Sequence, residues 1–245
     1  PKTLHGKYAL TKCIHAYIAH LKSLSDGNVA ASERAKLLRA QREKAEIEID
    51  ALRRELIPAL QQAVPSVIQF FEVAPENWAG MGGRSAHTLR AFTERYPFVC
   101  HGLSLSLGGP GALDESLLRR TRDFMRTHGI TLFTEHLSWC ADDSHLYDLL
   151  PIPMTEEAVR YTAERIACAQ DILGMRIGVE NASTYIAPPG ADMTEAEFVR
   201  AVVEQADCLL HLDVNNIYVN SCNFGFDPHA YLRQLPLERT CYVHV

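Results

Sequence analysis

The chain has 245 residues, a formal net charge of −6, and 47% apolar against 22% charged residues. That is enough for one large globular domain, and it lacks the basic face of a nucleic-acid binder. No apolar stretch reaches the roughly 20 residues of a membrane span. No signal peptide is visible, and the seven cysteines form no Cys-x-x-Cys pair, so a reducing compartment is expected, with the cytoplasm as the default. Charge is uneven: residues 1–63 carry 11 Lys and Arg against 7 Asp and Glu, and the remainder carries 13 against 23. An acidic body suits a cation site, though it equally suits a solubilised surface.

Residues 1–50 read as a helical arm or hairpin, with i,i+4 pairs such as Arg39 with Glu43 and Lys44 with Glu48 that support a solvated helix. Pro65 marks a change of style. VIQFFEVAPENW reads as a β run over 67–73 that turns into a polar loop holding Glu76, Asn77 and Trp78, followed by a helix over 85–95. FVCHG is the second strand, over 97–101, and His101 stands at its end. Ser104, Ser106, Gly108 and Gly109 follow, a run that can bind an anion through backbone N–H groups, and a helix spans 113–127. ITLFTEHLSW carries the third strand, over 130–135, with Glu135, His136 and Trp139 at or beyond its end. A polar loop then leads to a helix over 155–172 that opens on an acidic first turn and closes at Gly174. MRIGVENAS, over 175–180, delivers Glu180 and Asn181, with Tyr185 just after. Thr194 and Glu197 form a capping box for a helix ending near Gln205. DCLLHLDVNN, over 207–213, delivers His211, Asp213, Asn215 and Asn216, and a polar loop with Asn220, Asn223 and Asp227 follows. A short helix from Pro228 leads to CYVHV, over 240–244, with His244.

Six strands separated mostly by helices predict β-α units on a parallel sheet. No Gly-x-Gly-x-x-Gly follows the first strand, which argues against a dinucleotide fold. In a β/α barrel, reactive residues stand at the C-terminal ends of the strands, and the polar residues here fall at those ends. Imidazole and carboxylate without thiolate suit iron, manganese or zinc. His101, Glu135, His136, Glu180, Asp213 and His244 are too many for one tetrahedral ion, so two or three ions sharing carboxylates are expected. Adjacent strand residues face opposite ways, so one of Glu135 and His136 is expected to line the mouth while the other packs behind.

FFEVAPENWAGMGG, YPFVCHGLSLSLGG, FTEHLSW, DLLPIPMTEEAV, AQDILGMRIGVENASTYI, LLHLDVNNIYVNSCNFGFDPHAYL and YVHV together resemble the DUF692 family of multinuclear non-haem iron-dependent oxidative enzymes. The resemblance runs from about Leu52 to Val245. It implies a TIM-type (β/α)8 barrel over 51–245 holding two or three irons in mixed Fe(II)/Fe(III) states, with dioxygen as co-substrate and zinc or manganese as conceivable substitutes. It implies action on cysteines of a ribosomally made precursor peptide, often with a small leader-binding partner protein. Carried over residue by residue, His101, His136, Glu180, Asp213 and His244 fall in the metal-binding motifs. Glu135, Asn181, His211, Asn215 and Asn216 fall among or directly behind them, and Glu76, Asn77, Ser104, Ser106, Trp139, Tyr185 and Asn220 fall in the substrate pocket or loops.

The sequence departs from the family at both ends. IEIDALRRE replaces the usual Gly-x-Gly-Leu-Arg opening, and the Gly-His pair and Glu-Trp-Asp strand expected beyond His244 do not follow. Six of eight strands, an open barrel and a depleted metal cluster are therefore expected. Metal-assisted hydrolysis or isomerisation, and a non-catalytic scaffold, are the competing functions.

Overall fold

The computed structural model describes residues 57–60, 62–141, 145–188 and 190–245, with backbone alone for 145–148. The helical arm expected over 1–50 lies outside the described residues. The chain divides into two compact units, Pro1–Ile68 and Gln69–Val245, and the sheet lies in the second.

The main sheet is parallel and has six strands: β1 (Phe71–Val73), β2 (Phe98–His101), β3 (Phe133–His136), β6 (Gly178–Glu180), β7 (Leu209–Asp213) and β8 (Thr240–His244), in the order β1-β2-β3-β6-β7-β8. These are the six predicted strands. Between β3 and β6, β4 (Trp139–Ala141) and β5 (His145–Leu150) form an antiparallel pair where the sequence reads as a loop. Helices α1 (Gly83–Thr93), α2 (Glu115–His128), α3 (Glu156–Leu173), α4 (Glu195–Gln205), α5 (Val214–Phe224) and α6 (Pro228–Gln234) link the strands. The result is an incomplete, curled (β/α)8 barrel. Its curl shows in contacts between the two end strands, which are not hydrogen-bonded neighbours. Tyr242 and His244 of β8 each place an atom 2.8 Å from Glu72 Oε2 of β1, and Phe70 meets the Tyr242 ring edge-on at 5.9 Å.

Local signals explain the helix boundaries. Asp114 accepts a hydrogen bond from the Leu117 N–H at 2.8 Å and opens α2. Thr155 does the same for α3 with the Ala158 N–H at 3.2 Å. Gly174 ends α3 at φ 74°, a left-handed turn that costs glycine least. The predicted capping box of Thr194 and Glu197 is formed. The predicted polar loop after β7 is corrected. Residues 214–224 are helix, because Asp213 caps the new turn by accepting the Asn216 N–H at 2.7 Å. Asn and Val are indifferent helix formers, so the amide-rich composition concealed it.

Strand alternation sorts the side chains. Cys100, Phe133, Val179 and Leu210 are buried in one core cluster with Leu118 and Met125 of α2, Ile166 of α3 and Val202 of α4. Burying each large aliphatic side chain contributes about 1.5–3 kcal/mol. The opposite, inward parity carries His101, Thr134, His136, Gly178, Glu180, His211 and Asp213, which pair across the sheet in register. On β8 the register slips: Leu210 pairs with Thr240, but His211 pairs with Tyr242. Cys241 is the extra residue. A one-residue slip exchanges the two faces of a strand, so this bulge is what turns Tyr242 and His244 inward. The room for it comes from Gly178, where a Cβ would stand 2.7 Å from Thr134 Cγ2 and 2.9 Å from Cys241 Sγ.

Candidate metal centre

Seven side chains from six strands converge inside the curl. Glu180, on the central strand β6, is the hub. Its Oε2 lies 2.9 Å from His101 Nε2, 3.6 Å from His136 Nε2 and 3.6 Å from His211 Nδ1. Its Oε1 lies 3.7 Å from His244 Nδ1 and accepts from the Asn216 amide at 3.2 Å. His244 Nδ1 is also 3.8 Å from Asp213 Oδ2, and its Nε2 is 2.8 Å from Glu72 Oε2. The rings of His101 and His136 stand 4.5 Å apart between centroids, close enough to face one small object.

Three trios have ligand atoms all within 4.8 Å of one another: Glu72, His211 and His244; His101, Glu180 and His211; and Glu180, Asp213 and His244. Glu180, His211 and His244 each belong to two trios, which is the pattern of ions sharing ligands. His211 gives the test of fit. It is completely buried, and neither ring nitrogen has a hydrogen-bond partner. Leaving such atoms buried and unsatisfied costs about 1–3 kcal/mol each. Burial pushes its pKa down to about 3, with Glu180 opposing, so the ring is neutral and carries a lone pair. A neutral imidazole is the form that binds metal.

The other groups are tuned by the same arrangement. Burial raises the Glu72 carboxyl, but the His244 hydrogen bond and the charges of His101 and His244 outweigh it and hold Glu72 at about 2. Glu180 lies well below the ordinary glutamate range, because its histidines outweigh its burial. Burial lowers His244, but Glu180 and Glu72 outweigh that and raise it to about 9. His136 is raised too, its burial overcome by Glu135 and Glu180. The thiols stay apart from this chemistry, since burial pushes Cys100 and Cys208 up to about 12.

His101, His136, Glu180, Asp213, His244 and His211 thus come together, as does Asn216. Glu135 turns the other way: it accepts from the Leu105 N–H at 3.0 Å and braces His136, with Oε1 3.3 Å from its Nδ1. Asn181 exchanges bonds with the Asp213 backbone at 2.8 and 2.9 Å and so fixes the end of β7. Asn215 and Asn77 are exposed. The Glu76 carboxylate accepts from the Leu103 N–H at 2.7 Å. Ser104 is half-buried and Tyr185 exposed in the loops after β2 and β6. Ser106, expected in the substrate loop, is buried, and its hydroxyl accepts from the Cys140 and Ala141 N–H groups at 3.0 Å each. The Trp139 indole is committed to the Ala141 carbonyl at 3.1 Å. Asn220, also expected there, is fully buried and ties α5 to Ala182, Thr184 and Glu195. The anion-binding reading of the Gly/Ser run does not hold. Gly108 and Gly109 donate their N–H groups to Ser138 and Ser106 carbonyls, and Arg165 clamps the carbonyls of Ser106, Leu107 and Gly111.

Sequence reasoning missed Glu72 as a site residue. The signal was a carboxylate at the inward parity of an otherwise apolar strand.

Among the described residues, no helix is long and apolar enough to cross a membrane. A UPF0276 protein of Nitrosospira multiformis is 62% identical over 193 residues, spanning 79% of this chain and 68% of its own length. One from Pseudomonas aeruginosa is 54% identical over 194 residues, with the same coverage. A solved D-psicose 3-epimerase resembles the chain at a TM-score of 0.49 and 16% identity, over 72% of this chain and 62% of its own, too slight a likeness to favour isomerase chemistry. Residues 51–245 match the family described as RiPP precursor modification enzyme MbnB/TglH/ChrH, RiPP being a ribosomally made, post-translationally modified peptide. On that match, and on the identity to its UPF0276 relatives, the chain belongs to this DUF692/UPF0276 family of peptide-modifying enzymes.

Proposed function

We propose that the inner face of the curled sheet holds two or three iron ions and that the chain oxidises a cysteine of a ribosomally made precursor peptide with dioxygen. The observation that carries this is the set of three overlapping ligand trios, in which Glu180, His244 and the buried His211, whose ring nitrogens have no hydrogen-bond partner, are each shared by two. Family membership supplies the substrate class. His101, Glu180 and His211 would hold one ion, and Glu180, Asp213 and His244 a second, with His136 and Glu72 at the margins. Bound iron would supply a seat for the substrate thiolate and electrons for dioxygen.

The protein's own part is positioning. Glu180 offers one oxygen to each side and so sets the spacing between the two groups. Glu135 orients His136, and Asn181 anchors the Asp213 backbone, in the manner of outer partners that fix ligand direction. Leu103, Tyr185, Ile186 and Tyr218 lie just past the C-terminal ends of β2, β6 and β7 and are exposed. These side chains would offer apolar contacts to a docking peptide, and a small partner protein would deliver its leader.

The test pairs metal analysis after anaerobic purification with oxygen uptake on a cysteine-containing precursor peptide encoded beside this gene. Stoichiometric iron, and oxygen consumption that needs the peptide cysteine, are expected. Turnover supported by zinc without oxygen would overturn the oxidative reading.

A further inference from the structure

Behind the ligand atoms runs a chain of hydrogen bonds that crosses the barrel interior. His101 Nδ1 lies 2.8 Å from Thr134 Oγ1, which lies 3.0 Å from the Tyr242 hydroxyl, which lies 2.8 Å from Glu72 Oε2. The direction of this chain follows from counting protons. Each hydroxyl has one proton to donate. The Tyr242 hydroxyl donates to the Glu72 carboxylate, which has no proton to return in that contact. The Tyr242 proton therefore goes to Glu72. Tyr242 must then accept from Thr134, which uses the only proton of that hydroxyl. Thr134 in turn must accept from His101 Nδ1.

We propose that Thr134 and Tyr242 are positioning residues whose one-way hydrogen-bond chain keeps the proton on His101 Nδ1, leaving Nε2 as the nitrogen offered to a metal. Nε2 is the atom 2.9 Å from Glu180 Oε2. The same acceptor sets His244 the opposite way: its Nε2 faces Glu72 at 2.8 Å, so Nδ1 faces Glu180 and Asp213. Two histidines, on β2 and β8, thus present different nitrogens to one centre, and Glu72 terminates both arrangements. Tyr242 has a second task that is separable from the first. Its ring stacks on His211 at 4.1 Å and 24°, and His211 has no hydrogen bond of its own to orient it.

The inference rests on the metal reading above, and one experiment separates the two. Cobalt(II) is titrated into the full chain, with affinity read optically and imidazole N–H protons read as paramagnetically shifted resonances lost in heavy water. Thr134→Val and Tyr242→Phe are each expected to weaken cobalt binding roughly 10- to 100-fold. Thr134→Val is expected to lose the His101 N–H resonance, and Thr134→Ser to restore both properties. The double variant should bind about as the weaker single one, because both break the same chain. Wild-type affinity with the resonance intact in Thr134→Val would overturn the proposal while leaving the metal reading standing. No cobalt binding by the unaltered chain would sink the metal reading itself. Circular dichroism reports folding, and if Thr134→Val does not fold, Tyr242→Phe decides alone by the same criteria.

Discussion

The two faces of the one sheet are built from neighbouring residues and do opposite things. On β7, Leu210 and Leu212 face the helices while His211 and Asp213 face the barrel interior. On β3, Phe133 packs into the core while Thr134 and His136 line the centre. Both faces are buried: Leu210, His211 and Asp213 are each fully buried. Burial alone therefore separates nothing. What differs is how burial is satisfied. The outer face gains stability by removing apolar area from water, and the inner face buries charge and imidazole that only mutual pairing or a metal can satisfy. The fold is thus held from outside and loaded from inside, and the two should respond separately to substitution.

The sharpest break in that separation comes from Glu180. Glu180→Ala should weaken metal binding by more than the roughly 10- to 100-fold that loss of an outer partner costs, because it belongs to two of the three trios. Equilibrium dialysis with iron or cobalt checks this, and thermal melting of the metal-free chain should show the fold retained. On the other face, Leu210→Ala should cost about 2–5 kcal/mol of stability yet keep metal stoichiometry unchanged. Denaturant titration paired with metal analysis reads both numbers, and loss of stoichiometry in the folded variant would show that the faces are not independent.

The pH dependence of the metal-free chain is a smaller effect with a definite sign. His244 is raised to about 9 in the fold, so the stability it contributes is fully present below its ordinary value of about 6.5 and is lost as pH rises through about 9. Glu72 is held at about 2, so its contribution is present above the ordinary glutamate value and is lost as pH falls through about 2. Melting temperatures across pH 5 to roughly 10 should therefore fall at the alkaline end, and His244→Gln should flatten that fall. The smallest effect is expected at the exposed apolar side chains. Tyr218 is 63% exposed, and Tyr218→Ala should leave stability and metal content alone while raising the Kd for the peptide a fewfold, read by isothermal titration.

The same contrast explains what was legible in the sequence. All six main strands could be read, since apolar runs such as IGVE and LLHLD mark buried parallel strands. The ends of those runs marked His101, His136, Glu180, Asp213 and His244, because polar residues concluding apolar strands have few structural uses. The capping box at Thr194 and the stop at Gly174 were equally plain. Glu72 escaped because it sits within a strand and not at its end, and its role depends on a curl that brings β1 to β8. Helix 214–224 escaped because its cap is Asp213, a residue already read as a strand-end ligand. Ser106 and Asn220 were expected in the substrate pocket or loops by the resemblance. Only the structure shows their hydrogen bonds spent on the hairpin and on α5. The Cys241 bulge was also invisible, since register is a property of two strands and not of one.

Metal held by the inward-facing ligands of the curled sheet is the premise on which the site's chemistry depends. Anomalous diffraction at the iron edge, on crystals grown from anaerobically purified protein, tests it directly. Two or three iron peaks are predicted inside the curl, with Glu180 shared between at least two of them and His211 a ligand. Iron at another place on the molecule, or a centre with His211 still unligated in an iron-replete crystal, would contradict it.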